Sequence, residues 1–352
     1  MLCLKACINM LKLYNCGHRP VKKLTFNIAS GNSQGLTNDA IIITQALTEL
    51  IGDNVCIRHF TGSDSKLINI GKLFIMAIDK YLFRHKQITF HLEEIYTEIS
   101  PLSSINILIP NQEWLRSGTQ KAIKSHTYIW CKTQYAVKQL QHFNNNVEFI
   151  GFYSRNLTDT KTEKDFNKFI HIAGKSEQKG TIPILNVWQK HPEWPTLKVI
   201  SRREEHIKHQ ANNIEFITDF ISENNLKTLI NECGVHLCPS ESEGFGHNIV
   251  EAMSAGAIVI TTNAPPMNEL IPTDGRCLVH YNKTDKRYFS ELFFIDENQL
   301  EETIQQLILL SNSEKIILSE RNQQRYSELR KAFKNNLQVK LQQLNITLGK
   351  IG

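Results

Sequence analysis

From residue 24 onward the chain alternates short apolar runs with longer stretches whose apolar positions recur every three or four residues. Residues 24–29 form an apolar run, 30–36 a loop bearing Gly31 and Gly35, and 37–50 an amphipathic helical stretch. Strand, glycine loop and helix in that order open an α/β unit. Further runs at 54–60, 87–91, 105–109, 127–131 and 147–152, most of them separated by helical stretches, predict parallel strands joined by crossovers. Residues 154–168 are polar and charged and read as a linker. The rhythm then restarts, with strands expected at 169–173, 197–201, 214–218, 235–238, 257–262 and 277–280 and helices at 181–189, 223–233 and 247–255. From 298 onward apolar positions such as Ile304, Leu318, Phe333 and Leu341 return at helical spacing, a tail that needs a surface to cover. The second unit, with a return to the first, is the expected surface. The pattern therefore predicts an α/β chain with an N-terminal extension at 1–22, a Rossmann-like unit at 23–153, a linker at 154–168, a second Rossmann-like unit at 169–311 and a helical tail at 312–352.

A length of 352 residues agrees with two domains. A hydrophobic fraction of 41% and a charged fraction of 21% exclude disordered, collagenous and coiled-coil classes. The formal charge of +5 comes without a dense basic stripe, so no nucleic-acid partner is expected, while attraction to anionic ligands or to an anionic membrane surface stays open. Eight cysteines are scattered with no Cys-x-x-Cys, as in the reduced thiols of a cytoplasmic protein. Residues 1–20 lack the unbroken apolar core of a secretory signal; the expectation is a poorly ordered extension or a surface helix that touches membrane. No apolar run is long enough to span a bilayer. The stretch 67–86, apolar but bearing Lys72, Lys80, Arg84 and Lys86, is expected to be a core helix, with a face resting peripherally on a membrane as the alternative.

The chemistry concentrates in residues 238–262, where an apolar strand runs into Pro239-Ser-Glu-Ser-Glu243-Gly244-Phe245-Gly246, a helix, Gly256 and a second strand. Ligands of doubly wound sheets bind at the carboxyl ends of strands, where such a loop and helix start lie. Gly244 and Gly246 allow backbone to approach a ligand, and the helix start at His247 presents N–H groups suited to phosphate. Glu243 and Glu251 flank that start, and carboxylates there suit sugar hydroxyls, which donate hydrogen bonds to them. Upstream, Lys175 and Lys179 follow the strand 169–173 and Gly174, two cations four apart that suit a diphosphate.

Together these residues resemble the signature of GT-B glycosyltransferases of retaining family 4, the glycosyl transferases group 1. The carriers are the Glu243–Glu251 spacing, its first Glu inside Pro-Ser-x-x-Glu-Gly-Phe-Gly, and the Gly174-Lys175…Lys179-Gly180 loop. The stretches 109–114, 130–133 and 264–269 look like a bacterial subgroup without an assigned substrate. The resemblance implies two Rossmann-like domains facing across a cleft, and transfer of a sugar from a nucleotide-diphosphate sugar, such as a UDP- or GDP-sugar, to an acceptor hydroxyl with retention. It implies Lys175, Lys179 and Glu243 as the catalytic set. Gly174, Gly244, Phe245, Gly246, His247, Asn248, Glu251, Gly31 and Gly35 are implied as donor-binding, and His91, Asn111 and Glu113 as acceptor-side candidates. Lys175 stands where the family usually has Arg, and no His follows the strand 105–109.

With no Asp-x-Asp in the chain, neither a metal nor another cofactor is expected; cations and backbone dipoles would hold the phosphates. The expected acceptor is a glycan, a glycolipid or another hydroxyl compound. The alternative reading is a non-catalytic sugar-nucleotide-binding module or a nucleotide-sugar epimerase of the same fold.

Overall fold

The computed structural model describes residues 24–52, 55–115, 123, 127–174, 176–272 and 276–346; the extension at 1–22 and Lys175 lie outside the described residues. The first sheet holds β1 (Leu24–Ser30), β2 (Cys56–Thr61), β3 (Lys86–Glu93), β4 (Ile105–Pro110), β5 (Thr127–Cys131) and β6 (Val147–Phe149), ordered β2-β1-β3-β4-β5-β6. The second holds β7 (Asp165–Gly174), β8 (Leu197–Ser201), β9 (Ile214–Ile217), β10 (Cys233–Cys238), β11 (Ile258–Thr262) and β12 (Leu278–Val279), ordered β12-β11-β10-β7-β8-β9. Every pairing in both sheets is parallel. A parallel sheet must be covered on both faces, which is why central strands such as β10 and β11 are buried from end to end. Strand order reverses between β1 and β3 in one sheet and between β7 and β10 in the other. Outside the carboxyl ends of the strands, each reversal opens a crevice.

The helices are α1 (Gln34–Ile51), α2 (Lys66–Tyr81), α3 (Gln134–Leu140), α4 (Thr181–Lys190), α5 (Glu204–Ile207), α6 (Glu223–Glu232), α7 (His247–Ser254), α8 (Met267–Leu270), α9 (Glu297–Leu309) and α10 (Asn312–Gln343). Two short 3₁₀ turns, Ser100–Leu102 and Gln112–Trp114, precede and follow β4. Among the described residues no helix is long and apolar enough to cross a membrane.

Four features differ from the sequence expectation. Helix α1 starts at Gln34, because the Ser33 hydroxyl caps it by accepting from the Leu36 N–H, so Gly35 lies in the first turn and not in a loop. Strand β7 starts at Asp165, inside the stretch read as a linker. An antiparallel hairpin, β13 (Tyr281–Arg287) and β14 (Ser290–Ile295), occupies a segment where no element was expected. The fourth is α2, which is no core helix: Met76 is its one buried residue, while Leu67, Ile70 and Phe74 face out. Its apolar residues satisfied the periodicity of a core helix, but periodicity does not say how many sides are covered.

Helix α10 ties the halves together. Its start is fixed by a capping box between Ser311 and Glu314. Asn322 then donates to the Ala257 carbonyl at 2.7 Å on the second sheet's side, and Asn336 to the Ile150 carbonyl at 3.0 Å on the first. Between them Phe333 meets Phe152 at 4.9 Å, and Phe152 meets Phe245 at 5.5 Å. One apolar cluster consequently runs from Phe26 and Phe90 in the first sheet through Phe152 to Ile249 in α7. The crevices of the two sheets face each other over this joint.

Candidate functional site

The loop after β7 and the loop after β10 pack together beside the strand-order reversal of the second sheet. The Glu241 N–H donates to the Gln178 carbonyl at 2.9 Å, and a Cβ at Gly180 would collide with the Pro239 carbonyl oxygen. Gly180 also has φ 62°, so a side chain is excluded twice over. Lys179 therefore sits between two loops that cannot move apart without losing this contact. Its ammonium reaches Glu243 Oε1 at 2.5 Å and Asn248 Oδ1 at 3.5 Å, and the Ser240 hydroxyl donates to the same Glu243 oxygen at 2.6 Å. Both members of the pair keep some contact with solvent.

The helices that start here differ from most of the others. Serine, threonine or aspartate side chains cap α1, α2, α3, α6, α9 and α10. Helices α4 and α7 instead begin at Gly180 and Gly246, both left-handed, with no side-chain cap. A helix start leaves its first N–H groups without intrahelical acceptors and carries partial positive charge. Two such starts and the Lys179 ammonium thus lie on adjoining loops, an arrangement that favours a multiply charged anion. Among the described residues no group of three or more His, Cys, Asp or Glu side chains is placed to hold a metal ion.

Around this centre the other predicted residues divide. Asn248 touches Lys179, and Gly174 closes β7. Glu251 accepts from Arg155 Nε at 3.0 Å, and Arg155 Nη1 reaches Glu223 at 2.8 Å. Phe245 points into the core against Phe152, and His247 reaches across to the first half, so what these two offer a ligand is backbone. Gly31 follows β1, near Leu36 and the Tyr96 hydroxyl, and Gly35 lies in the first turn of α1.

Of the acceptor-side candidates, Asn111 and Glu113 meet the loop between β10 and α7 directly. A Cβ at Gly244 would stand 2.6 Å from Asn111 Oδ1 and from Glu113 Oε1, so these two side chains close directly on the Gly244 backbone. Gln112 Nε2 donates to the Glu243 carbonyl at 2.8 Å, and Asn111 Nδ2 donates to Glu93 Oε2 at 3.2 Å. Glu113 is buried with Oε2 lacking a partner. Burial, with the carboxylates of Glu243 and Glu93 nearby, pushes its carboxyl up to about 8 despite its own backbone N–H and Lys132. At neutral pH it is an uncharged acid able to donate a hydrogen bond. His91 is different: fully buried in β3, its Nδ1 accepts from the Tyr96 N–H at 3.2 Å while Nε2 bonds Asn106 Oδ1 at 2.9 Å. Burial holds it neutral, at about 4, and both nitrogens are occupied by the protein itself.

Sequence reasoning missed the seam that brings these loops together. Asp39 in α1 receives Lys132 Nζ at 2.8 Å and His247 Nε2 at 2.9 Å, and His247 Nδ1 bonds the Ser154 hydroxyl at 2.7 Å. Burial raises the Asp39 carboxyl, but Lys132 and His247 outweigh it and the net shift is downward. Glu269 accepts from the Gln134 and Tyr135 N–H groups, both at 2.7 Å, and so caps α3 from the opposite half. Arg287 of the unexpected hairpin lies 4.4 Å over the Trp114 ring. The stretches 109–114, 130–133 and 264–269, which carried the resemblance to a subgroup, thus all lie where the halves touch. A lone Asp in a helix gives no sequence signal of such a role.

Comparisons with known proteins agree with this architecture. An uncharacterized glycosyltransferase of Haemophilus influenzae is 28% identical over 184 residues, covering 49% of this chain and 48% of that protein, so the match spans about half the relative's length. A solved glycosyltransferase of Rickettsia africae superposes with a TM-score of 0.66 at 12% identity, covering 92% of this chain and 100% of that one. Anabaena HepE, solved with UDP and glucose, does so with a TM-score of 0.57 at 15% identity, covering 91% and 100%. These likenesses show the GT-B fold. Residues 160–336, half of the chain, match the family model described as Glycosyl transferases group 1, and the chain belongs to that family.

Proposed function

We propose that this protein transfers a sugar from a nucleotide-diphosphate sugar to the hydroxyl of a glycan or glycolipid, with retention of configuration and without a metal. The observation that carries the reading is the pair of glycine-started, uncapped helices α4 and α7 flanking Lys179. Their N–H groups and the ammonium would receive the diphosphate, and Lys175 would add a second cation. Glu243, which holds Lys179 in the ligand-free chain, turns to the donor sugar's hydroxyls once phosphate takes the lysine. Glu251 holds the ribose. As the nucleotide leaves, negative charge grows on its phosphate, and Lys179 with the two helix starts stabilises that charge. The departing phosphate oxygen takes the acceptor proton, so no protein base is required. Asn111 and Glu113 would face the acceptor, a reading supported by their closeness to Gly244. The UDP and glucose bound to HepE, a protein of the same fold, favour a nucleotide-sugar donor.

A thermal-shift screen with UDP, GDP, ADP and CMP and their sugar conjugates tests this, each with and without EDTA. One nucleoside diphosphate at a hundred times its Kd should stabilise the native chain by about 2.7 kcal/mol, and EDTA should leave the shift unchanged. Absence of a shift with every nucleotide would overturn donor binding, a shift abolished by EDTA would overturn the metal-free arm, and product NMR reads the anomeric outcome.

A further inference from the structure

We infer that the outer face of α2 and the turn after it form a docking surface for an anionic lipid bilayer. Leu67, Ile70, Phe74 and Tyr81 fall at i, i+3, i+7 and i+14, one face of the helix, and Leu82 and Phe83 extend it. These six side chains are 52–76% exposed. The opposite face already has its partner, since Leu73 and Met76 pack on Ala29, Phe60, Ile99 and Leu102. The helix is thus held to the body by one side and presents a second apolar side about 24 Å long. A contiguous apolar patch of this kind on a folded chain marks an interaction surface.

Charge selects the occupant. Segment 64–86 carries Lys66, Lys72, Lys80, Arg84 and Lys86 against two acids, Asp64 and Asp79. Asp64 is taken up by Lys72 at 2.8 Å, and Asp79 by Arg58 and His85. Lys80 bonds the Pro101 carbonyl and Lys86 the Leu344 carbonyl, neutral partners that leave their charge in place. An apolar helical face flanked by uncompensated cations is the composition that lies in the headgroup boundary of an anionic membrane. A protein partner of equal hydrophobicity would not need the basic border. Position agrees as well: Gly62, just before α2, packs on Gly31 and Asn32 of the glycine loop at the end of β1. On the glycosyltransferase reading, a lipid-borne acceptor would reach the cleft from this side, but vesicle binding itself does not depend on that reading.

The test is flotation of the purified full chain with phosphatidylglycerol-containing and with pure phosphatidylcholine vesicles, and of the triple variant Leu67→Ser/Ile70→Ser/Phe74→Ser. The wild type should float with the anionic vesicles, less at high salt, and stay unbound with the neutral ones. The variant should lose at least about tenfold in vesicle affinity while keeping its melting temperature and its thermal shift with nucleotide. Equal flotation of variant and wild type would overturn the proposal, as would a wild type that ignores anionic vesicles. A dimer in sedimentation velocity that the triple variant converts to monomer would reassign the face to a second copy. Vesicle binding seen only after removal of residues 1–22 would reassign it to that segment.

Discussion

Two lysine–carboxylate pairs approach the loop before α7 and the start of that helix from opposite sides, and they are built differently. Lys179 and Glu243 both belong to the second half, stand on loops, and are 20% and 13% exposed. Lys132 and Asp39 belong to the first half, stand on β5's end and α1, are each 2% exposed, and take His247 as a third member from across the joint. Ion pairs that keep water can exchange one partner for a ligand at small cost, whereas a sealed pair cannot lose a member without stranding a charge. The difference teaches that the same residue types make an exchangeable pair at one place and a sealed joint at the other. On the proposed function, only the second-half pair is free to meet substrate.

Removing Lys132 should break this contrast most visibly. Lys132→Met leaves Asp39 buried without its main partner and should cost about 3–5 kcal/mol of stability, read by denaturant unfolding; adding Asp39→Asn should recover part of that loss. A change within about 0.5 kcal/mol would mean that the seam is not sealed in solution. Lys179→Ala should do the reverse, leaving the unfolding midpoint near that of the wild type while turnover falls by about 10²-fold, if its charge matters most as the leaving group departs. A large loss of stability with little loss of turnover would exchange the roles of the two pairs. At Glu113 the expected effect depends on pH and is small only at low pH. Its folded value lies above the unfolded one, so between about 4.5 and about 8 the native state holds the extra proton. Stability from this group is accordingly present at low pH and is lost as pH rises through about 8. Glu113→Gln should remove that slope, so that the variant gains on the wild type as pH rises from about 4.5 to about 8, read by denaturant unfolding at several pH values. An unaltered pH profile would show that opening of the halves already hydrates this carboxyl.

Parts of this arrangement were legible in the residues. The apolar runs gave the strands because a parallel strand covered on both faces admits little else, and β10 and β11 fall where their runs stand. The loops around Lys179 and Glu243 could be found because glycines, cations and carboxylates crowd into few positions there. Helix α2 was misread because its periodicity reports an apolar stripe and is silent about coverage. Hairpin β13–β14 went unseen because β13 is exposed at every residue but Arg287 and carries no apolar alternation. His91 was considered on the strength of its residue type at a strand end, yet the sheet consumes both of its nitrogens.

What the sequence alone determined is local: which segments become strands and helices, and which loop chemistry follows each strand. Periodicity and residue type act over a few positions, and a linear chain displays them directly. The tertiary structure alone decided which loops face one another. Asp39 and His247 lie 208 residues apart, Gln112 and Glu243 131 apart, and their meeting depends on strand order and on α10 bracing both halves. It also decided which apolar faces stay open, because whether Leu67 or Leu73 is covered depends on the elements packed around α2, while the two leucines read alike in the sequence.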